Sequence, residues 1–359
     1  MKIGILTIIG QANYGNKLQN YAVDRVLKGL GADVVTFDYT SKPSVKTRLK
    51  RIVKDILKVN DYYGRKRIEC FNAFDNKYLK TDRVENAANY DYVVCGSDQI
   101  WNCTIGFINT NLETYFGAFM PPEKRIAYSA SIGADYIPDE YQAVFAEYTS
   151  EMKAISVREE KGAEIIKHLT GKDVCVTIDP TLMLTENQWL EIASRPDYIT
   201  DEKFILTYFL GNYLPEIKEY IYNVAKEKGL KVIDLEADYK FANEIDNLSY
   251  YMTCADEFIW LISNCEMMFT DSFHGSVFSI IMDKPFRCFL RNQDGLVKMS
   301  SRMDTLFKLF HIEKWCYGDL KESADTVFYK DYSAVNSVLD EERAKALHYL
   351  KGALNIDEK

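Results

Sequence analysis

Short apolar runs alternate with stretches of helical periodicity along almost the whole chain. That alternation predicts parallel strands joined by crossover helices, an α/β architecture. A first series of strands is expected over residues 2–9, 34–37, 92–95, 125–129, 154–157 and 174–178, and a second over 204–209, 231–235, 266–270 and 286–290. Helices are expected between them, among them 17–30, closed by Gly31, then 215–228 and 257–264. Asp179-Pro180-Thr181 ends the last strand of the first series and Pro196-Asp197 follows a short helix, so the break falls over 179–201. The predicted organisation is one Rossmann-like domain over 1–182, a second over 183–335, and a segment 336–359 whose helix, near 340–354, is placed to pack back on the first domain. Two doubly wound domains facing each other put the carboxyl ends of both sheets on a shared cleft, where such folds bind ligands.

Composition leaves this picture intact. A chain of 359 residues exceeds the size of one ordinary core, and its 47% hydrophobic and 27% charged content is that of a globular protein. The N-terminal apolar run is too short to span a bilayer and lacks a small-residue cleavage site, and no other stretch is apolar over the length of a membrane helix, so a cytoplasmic location is expected. The eight cysteines sit mostly inside apolar runs and form no CxxC pair; with four dispersed histidines they point to core packing in a reducing compartment and to no metal site.

Charge adds one feature. The net charge of −9 argues against a nucleic-acid partner, yet residues 42–67 carry ten Lys or Arg against only Asp55 and Asp61. Over 45–58, apolar Val45, Leu49, Ile52, Val53, Ile56 and Leu57 recur at helical spacing among the basic residues. This basic amphipathic helix is either a surface helix of its own domain or a peripheral foot on the inner membrane surface, where each basic residue adds about 1 kcal/mol.

Candidate chemistry lies in the loops after the strands. Gly10-Gln11-Ala12-Asn13-Tyr14-Gly15-Asn16-Lys17 mimics a phosphate loop in its glycine spacing, but Asn16 intrudes before the Lys and no Ser or Thr follows, which rejects nucleoside triphosphate binding. Asn13 and Asn16 remain as polar contacts at a helix start, in a turn that is otherwise structural. In Gly96-Ser97-Asp98-Gln99-Ile100-Trp101, hydrogen-bonding groups stand beside an apolar plate, which suits a sugar ring; Asp98 is a general base, a hydroxyl anchor or part of a helix cap, and Trp101 a platform or a core residue. Arg158, after Ser156-Val157, either meets an anion or pairs with Glu159 or Glu160. In Thr270-Asp271-Ser272-Phe273-His274-Gly275-Ser276, a strand runs into a turn that sets a lone His at a helix N-terminus, able to hold an anion or move a proton.

Taken together and in order, these segments resemble the polysaccharide pyruvyltransferase family. The resemblance rests on Asn13-Tyr14-Gly15-Asn16, Gly96-Ser97-Asp98-Gln99-Ile100-Trp101, Ser156-Val157-Arg158-Glu159, Asp179-Pro180-Thr181, Thr270-Asp271-Ser272-Phe273-His274-Gly275, Lys284-Pro285-Phe286 and Ser301-Arg302. It implies two Rossmann-like domains similar to GT-B glycosyltransferases, and transfer of pyruvate from phosphoenolpyruvate to a hexose of a surface glycan, such as an exopolysaccharide or capsule, as a cyclic ketal. Joined to the reading of the loops, this makes His274 and Asp98 the expected catalytic residues, with an acceptor side in the first domain at Asn13, Asn16, Gln99 and Trp101, and a donor side in the second. Arg158, Ser272, Gly275, Ser276 and Arg302 would then bind the donor. Phosphoenolpyruvate is a co-substrate, and no cofactor or metal is expected. The sequence departs from the family pattern at Ser272, where an Arg stands two residues before the His in members of established activity; Arg302, Arg291 or Lys298 is expected to supply that charge. The acceptor would be a lipid-linked or nucleotide-linked sugar. Two alternatives stay open: a GT-B glycosyltransferase using a nucleotide sugar, with Asp294 or Asp304 at its ribose, or a non-catalytic sugar-binding relative.

Overall fold

The structure is a computed structural model that describes residues 1–40, 62–212, 214–236, 248–291, 301–315 and 318–356. The basic stretch 45–58, Asp294 and Lys298 lie outside the described residues.

Eleven strands form two parallel sheets among the described residues. The first sheet contains β1 (Lys2–Leu6), β2 (Asp33–Asp38), β3 (Thr81–Arg83), β4 (Tyr92–Cys95), β5 (Arg125–Ala130), β6 (Ala154–Val157) and β7 (Cys175–Val176), in the spatial order 3-2-1-4-5-6-7. The second contains β8 (Phe204–Phe209), β9 (Lys231–Glu236), β10 (Met267–Thr270) and β11 (Phe286–Cys288), in the order 11-10-8-9. The order of each sheet reverses once, between β1 and β4 and between β8 and β10, which opens a crevice at the carboxyl ends of those strands.

The edges depart most from the predicted elements, for reasons of chemistry. Thr81-Asp82-Arg83 pairs beside β2 without any apolar run to announce it, and polar edge strands are common because they discourage further pairing. Strand β1 stops at Leu6 because side chains take over its backbone groups: Asn16 Nδ2 donates to the Ile8 carbonyl at 2.7 Å and Ile9 N–H to the Tyr39 hydroxyl at 3.3 Å.

Among the described residues, the helices of nine or more residues are α1 (Tyr14–Gly29), α2 (Tyr62–Tyr78), α3 (Asp139–Glu151), α4 (Glu160–Thr170), α5 (Pro215–Lys228), α6 (Ala255–Asn264), α7 (Phe273–Ile281), α8 (Ser301–Phe310) and α9 (Val335–Ala353). Helix α1 begins earlier than its apolar period because Asn13 caps it, its side chain accepting the Asn16 N–H at 3.1 Å. It is buried on two faces, since Tyr14 stacks on Phe258 of α6 at 4.3 Å and touches Phe71 and Tyr208. Arg67 of α2 reaches into this seam, bonding to the carbonyl of Tyr251 and, at 3.3 Å, to those of Ala12 and the Tyr14 hydroxyl. Beside it Cys70 and Cys254 form a disulfide, with Cα atoms 5.5 Å apart. This corrects the expectation that all the cysteines are plain core thiols: α2 and the start of α6 converge across the seam, a juxtaposition that spacing along the chain cannot reveal. Helix α9 lies against the first sheet, where Tyr349 donates its hydroxyl to the Ala127 carbonyl of β5 at 2.6 Å and Arg343 bonds to the Leu182 carbonyl at 2.8 Å. No helix among the described residues is long and apolar enough to cross a membrane.

Candidate active site

Strand β10 runs out at Thr270, and the next four residues build one wall of the crevice. The Asp271 carboxylate accepts the N–H groups of Leu210 at 2.6 Å and Gly211 at 2.8 Å, which ties the ends of β8 and β10 together at the reversal point. Burial raises its pKa against the opposing pull of Arg291, 3.7 Å away, and of those two N–H groups. Ser272 then caps α7, its Oγ accepting the Gly275 N–H at 3.3 Å. His274 is the second residue of the helix and is 8% exposed. Its ring packs against Gly15 of the first domain, where an added Cβ would stand 2.0 Å from the His274 Nδ1.

The imidazole faces a carboxylate that the motif Asp179-Pro180-Thr181 supplies. Asp179 Oδ2 lies 3.6 Å from His274 Nε2 and is ion-paired with Arg158, while its Oδ1 accepts from Thr181 N–H at 2.9 Å and Oγ1 at 2.6 Å. Burial would raise the Asp179 pKa, but Arg158 and then His274 outweigh it and hold the carboxyl well below the usual carboxylate range. Arg158 is therefore not paired with its sequence neighbours. Glu159 turns away to accept from Ser131 Oγ, Ile132 N–H and Gly133 N–H, and Glu160 meets Lys308 at 3.2 Å.

Two further arginines close on the same place. The guanidinium carbons of Arg158 and Arg302 stand 4.5 and 5.8 Å from the centre of the Phe273 ring, and Arg291 and Arg302 line the crevice beside His274. Arg158 Nε and Nη2, Arg291 Nε and Arg302 Nε are buried without a hydrogen-bond partner among the described residues. Burial, then the charges of Arg158 and Arg291, push the Arg302 guanidinium down to about 9. A guanidinium is the hardest side chain to deprotonate, so the push reflects how closely like charges are gathered and buried here.

The opposite wall comes from the first domain. Asn16 joins α1 to the end of β4 by donating to Asp98 Oδ2 at 2.9 Å, and Asp98 also accepts the Gln99 N–H at 2.7 Å from a left-handed backbone with φ of 32°. Gln99 packs on Gly133, whose missing Cβ leaves the room it occupies. Asn13, Asn16, Asp98, Gln99, Ser272 and His274 thus line one crevice with Arg302. Four predicted residues stand outside that lining: Arg158, buried in its pair with Asp179, and three more. Trp101 is 0% exposed, stacks on Phe116 at 5.0 Å and donates Nε1–H to the Tyr115 carbonyl, so it is core and not a platform. Gly275 is bare because a Cβ would come within 2.6 Å of Thr270 Oγ1, and its N–H is taken by the cap. Ser276 is buried and bonds back to the Ser272 carbonyl at 3.3 Å. Neither is free to touch a ligand. Sequence reasoning missed Asp179 as the partner of both Arg158 and His274, and Gly15 as the floor beneath the ring. The first was signalled by an acidic residue directly after a strand; nothing signalled the second. Among the described residues no group of three or more His, Cys, Asp or Glu is placed to hold a metal ion.

The profile of the polysaccharide pyruvyl transferase family matches residues 13–293. No curated protein matches the chain in sequence. Among solved structures it is similar to a putative UDP-N-acetylglucosamine 2-epimerase from Listeria monocytogenes, at 12% identity and a TM-score of 0.50, over 97% of this chain and 90% of that one. It is also similar to the UDP-GlcNAc 2-epimerase of Neisseria meningitidis, at 10% identity and a TM-score of 0.48 over 99% and 100% of the two chains, and to MurG of Acinetobacter baumannii, at 8% and 0.41 over 99% of each. The likeness to the Listeria structure is one of fold, an α/β chain with two parallel sheets.

Proposed function

Because the chain belongs to the polysaccharide pyruvyl transferase family, we propose that it transfers the pyruvyl group of phosphoenolpyruvate to a hexose of a surface glycan or its precursor, as a cyclic ketal. The observation that carries the reading is the gathering of Arg158, Arg291 and Arg302 around Phe273 and His274, with buried nitrogens of all three without a hydrogen-bond partner among the described residues. Asp179 offsets Arg158 and Asp271 faces Arg291, which leaves Arg302 the least compensated of the three. A donor with a carboxylate and a phosphate supplies the charge that such a site needs. Arg302, from α8, thus takes up the work of the family Arg that Ser272 replaces.

The chemistry follows from that placement. One sugar hydroxyl adds to C2 of phosphoenolpyruvate while C3 takes a proton, and phosphate then leaves C2 as a second hydroxyl of the same sugar takes its place. Two C–O bonds form, one C–O bond to phosphate breaks, and of the two hydroxyl protons one ends on C3 and one on phosphate or solvent. His274 is the group to deliver the proton, its ring fixed between Gly15 and Asp179. Asp98, held by Asn16 and the Gln99 N–H, is the group to accept one from a hydroxyl. A lipid-linked acceptor, and contact of 45–58 with anionic membrane, belong to the same proposal; binding to acidic vesicles that weakens as salt rises would support them.

The test is calorimetric titration with phosphoenolpyruvate, followed by incubation with donor and glycan acceptor and mass analysis of the sugar. Binding, with phosphate release and pyruvyl addition, is expected. Folded wild-type protein that takes up no phosphoenolpyruvate would sink the reading and move a nucleotide-sugar donor ahead.

A further inference from the structure

The sequence places an aromatic platform at Trp101, and the structure puts that ring in the core, yet an aromatic does stand at the crevice. Phe107 lines it with Ile105, on the same wall as Asp98 and Gln99, and is 43% exposed. The other rings of this stretch of chain behave differently: Trp101, Tyr115 and Phe116 are all buried. The loop that carries it is wired internally. Asn102 Oδ1 accepts from Thr104 N–H at 3.1 Å and Oγ1 at 2.6 Å, Asn109 Nδ2 donates to the Cys103 carbonyl at 3.2 Å, and Asn111 Nδ2 donates to the Phe107 carbonyl itself at 3.0 Å. A large apolar ring is thus fixed at the rim of a polar crevice, where it loses hydrophobic stabilisation in the free protein.

We propose that Phe107 is the surface on which the acceptor hexose stacks, and that it selects sugars by the apolar C–H face they present; this rests on the pyruvyl-transfer reading above. A pyranose offers C–H groups on a face and hydroxyls on its edge. A ketal needs two hydroxyls of one sugar directed together at the donor carbon, so the ring must be held in one plane and one rotation. An aromatic at the rim sets the plane. The amides of Asn13 and Gln99 and the Asp98 carboxylate, lining the same wall, meet the edge, and His274 and Arg302 stand across the crevice.

The experiment separates sugar from donor. Methyl glycosides of glucose, galactose, mannose and their N-acetylamino counterparts are titrated against wild type, Phe107→Ala and Phe107→Trp by saturation-transfer NMR, and phosphoenolpyruvate against the same proteins by calorimetry. The ring is exposed, so neither variant threatens the fold, and thermal melts check this. Phe107→Ala is expected to weaken glycoside binding about tenfold, Phe107→Trp to retain it, and both to bind phosphoenolpyruvate as wild type does. Glycoside binding unchanged in Phe107→Ala, equal loss in both variants, or no glycoside bound by wild type would each overturn the proposal. Should wild type bind a glycoside through Phe107 but no phosphoenolpyruvate, the platform stands and the donor reading falls.

Discussion

Replacing Arg302 with Met sets stability against function. Burial, then the neighbouring guanidiniums, push Arg302 from its ordinary value down to about 9, which corresponds to roughly 5 kcal/mol held against the charged form. Arg302 is nonetheless charged near pH 7, so the unliganded fold carries that burden. Met keeps much of the aliphatic stem and removes the charge. Relaxation around a neutral side chain recovers only part of that cost, so a net gain of about 1 to 2 kcal/mol is expected, seen as a melting midpoint a few degrees higher. Alkaline titration gives the sign independently. Between about 9 and the ordinary value the unfolded wild type binds more protons than the folded protein, so its stability rises with pH there, and the Met variant lacks that increment. The same substitution should lower phosphoenolpyruvate affinity by about ten- to a hundredfold, the worth of one charge-assisted contact. Differential scanning calorimetry with and without ligand reads both effects, since a ligand at a hundred times its dissociation constant stabilises by about 2.7 kcal/mol. An Arg302→Met protein that melts lower than wild type, or that is stabilised by phosphoenolpyruvate to the same extent, would refute the claim of an uncompensated anion site.

Asp179→Asn leaves Arg158 buried without its counter-charge and should cost about 3 to 5 kcal/mol by urea unfolding. The folded carboxyl is held below its unfolded value, so its stabilising effect is complete above about pH 4 and fades as pH falls through the folded value; the gap between wild type and variant should close in acid. Gly15→Ala drives a methyl into the His274 ring and should abolish turnover while a circular dichroism spectrum stays native. A variant at wild-type rate would show that the ring position is irrelevant. His274→Gln should bind phosphoenolpyruvate within about threefold of wild type but release no phosphate in the presence of acceptor, because the proton, not the anion, is its task.

The parallel strands were legible because buried runs such as Tyr92–Cys95, Ala154–Val157 and Phe204–Phe209 are almost wholly apolar, broken only by Ser156 and Thr207, and such runs need no partner to be recognised. Thr81–Arg83 was invisible, since an edge strand is defined by the neighbour it joins. At the site, His274, Asp98 and Arg158 could be picked out by their place after strands. What they touch could not. The pairing of Arg158 with Asp179 bridges 21 positions, and the contact of His274 with Gly15 joins opposite ends of the chain. The Trp101 and Phe107 exchange has another cause: both lie in one post-strand segment, and which ring turns inward depends on Phe116 and Phe145, which pack the first.

Tyr14 stands between Phe71 of the first domain and Tyr208 and Phe258 of the second, and one continuous core runs through it. A fold with two sheets invites the exchange of halves between relatives, one to choose the acceptor and one the donor. Here the halves are not modules. A graft cut between β7 and β8 would sever Tyr14 and Arg67 from the residues they were shaped against and leave both faces sticky, so a working chimera must carry α1, α2 and α6 together, and thermal unfolding of the native chain should follow a single cooperative transition.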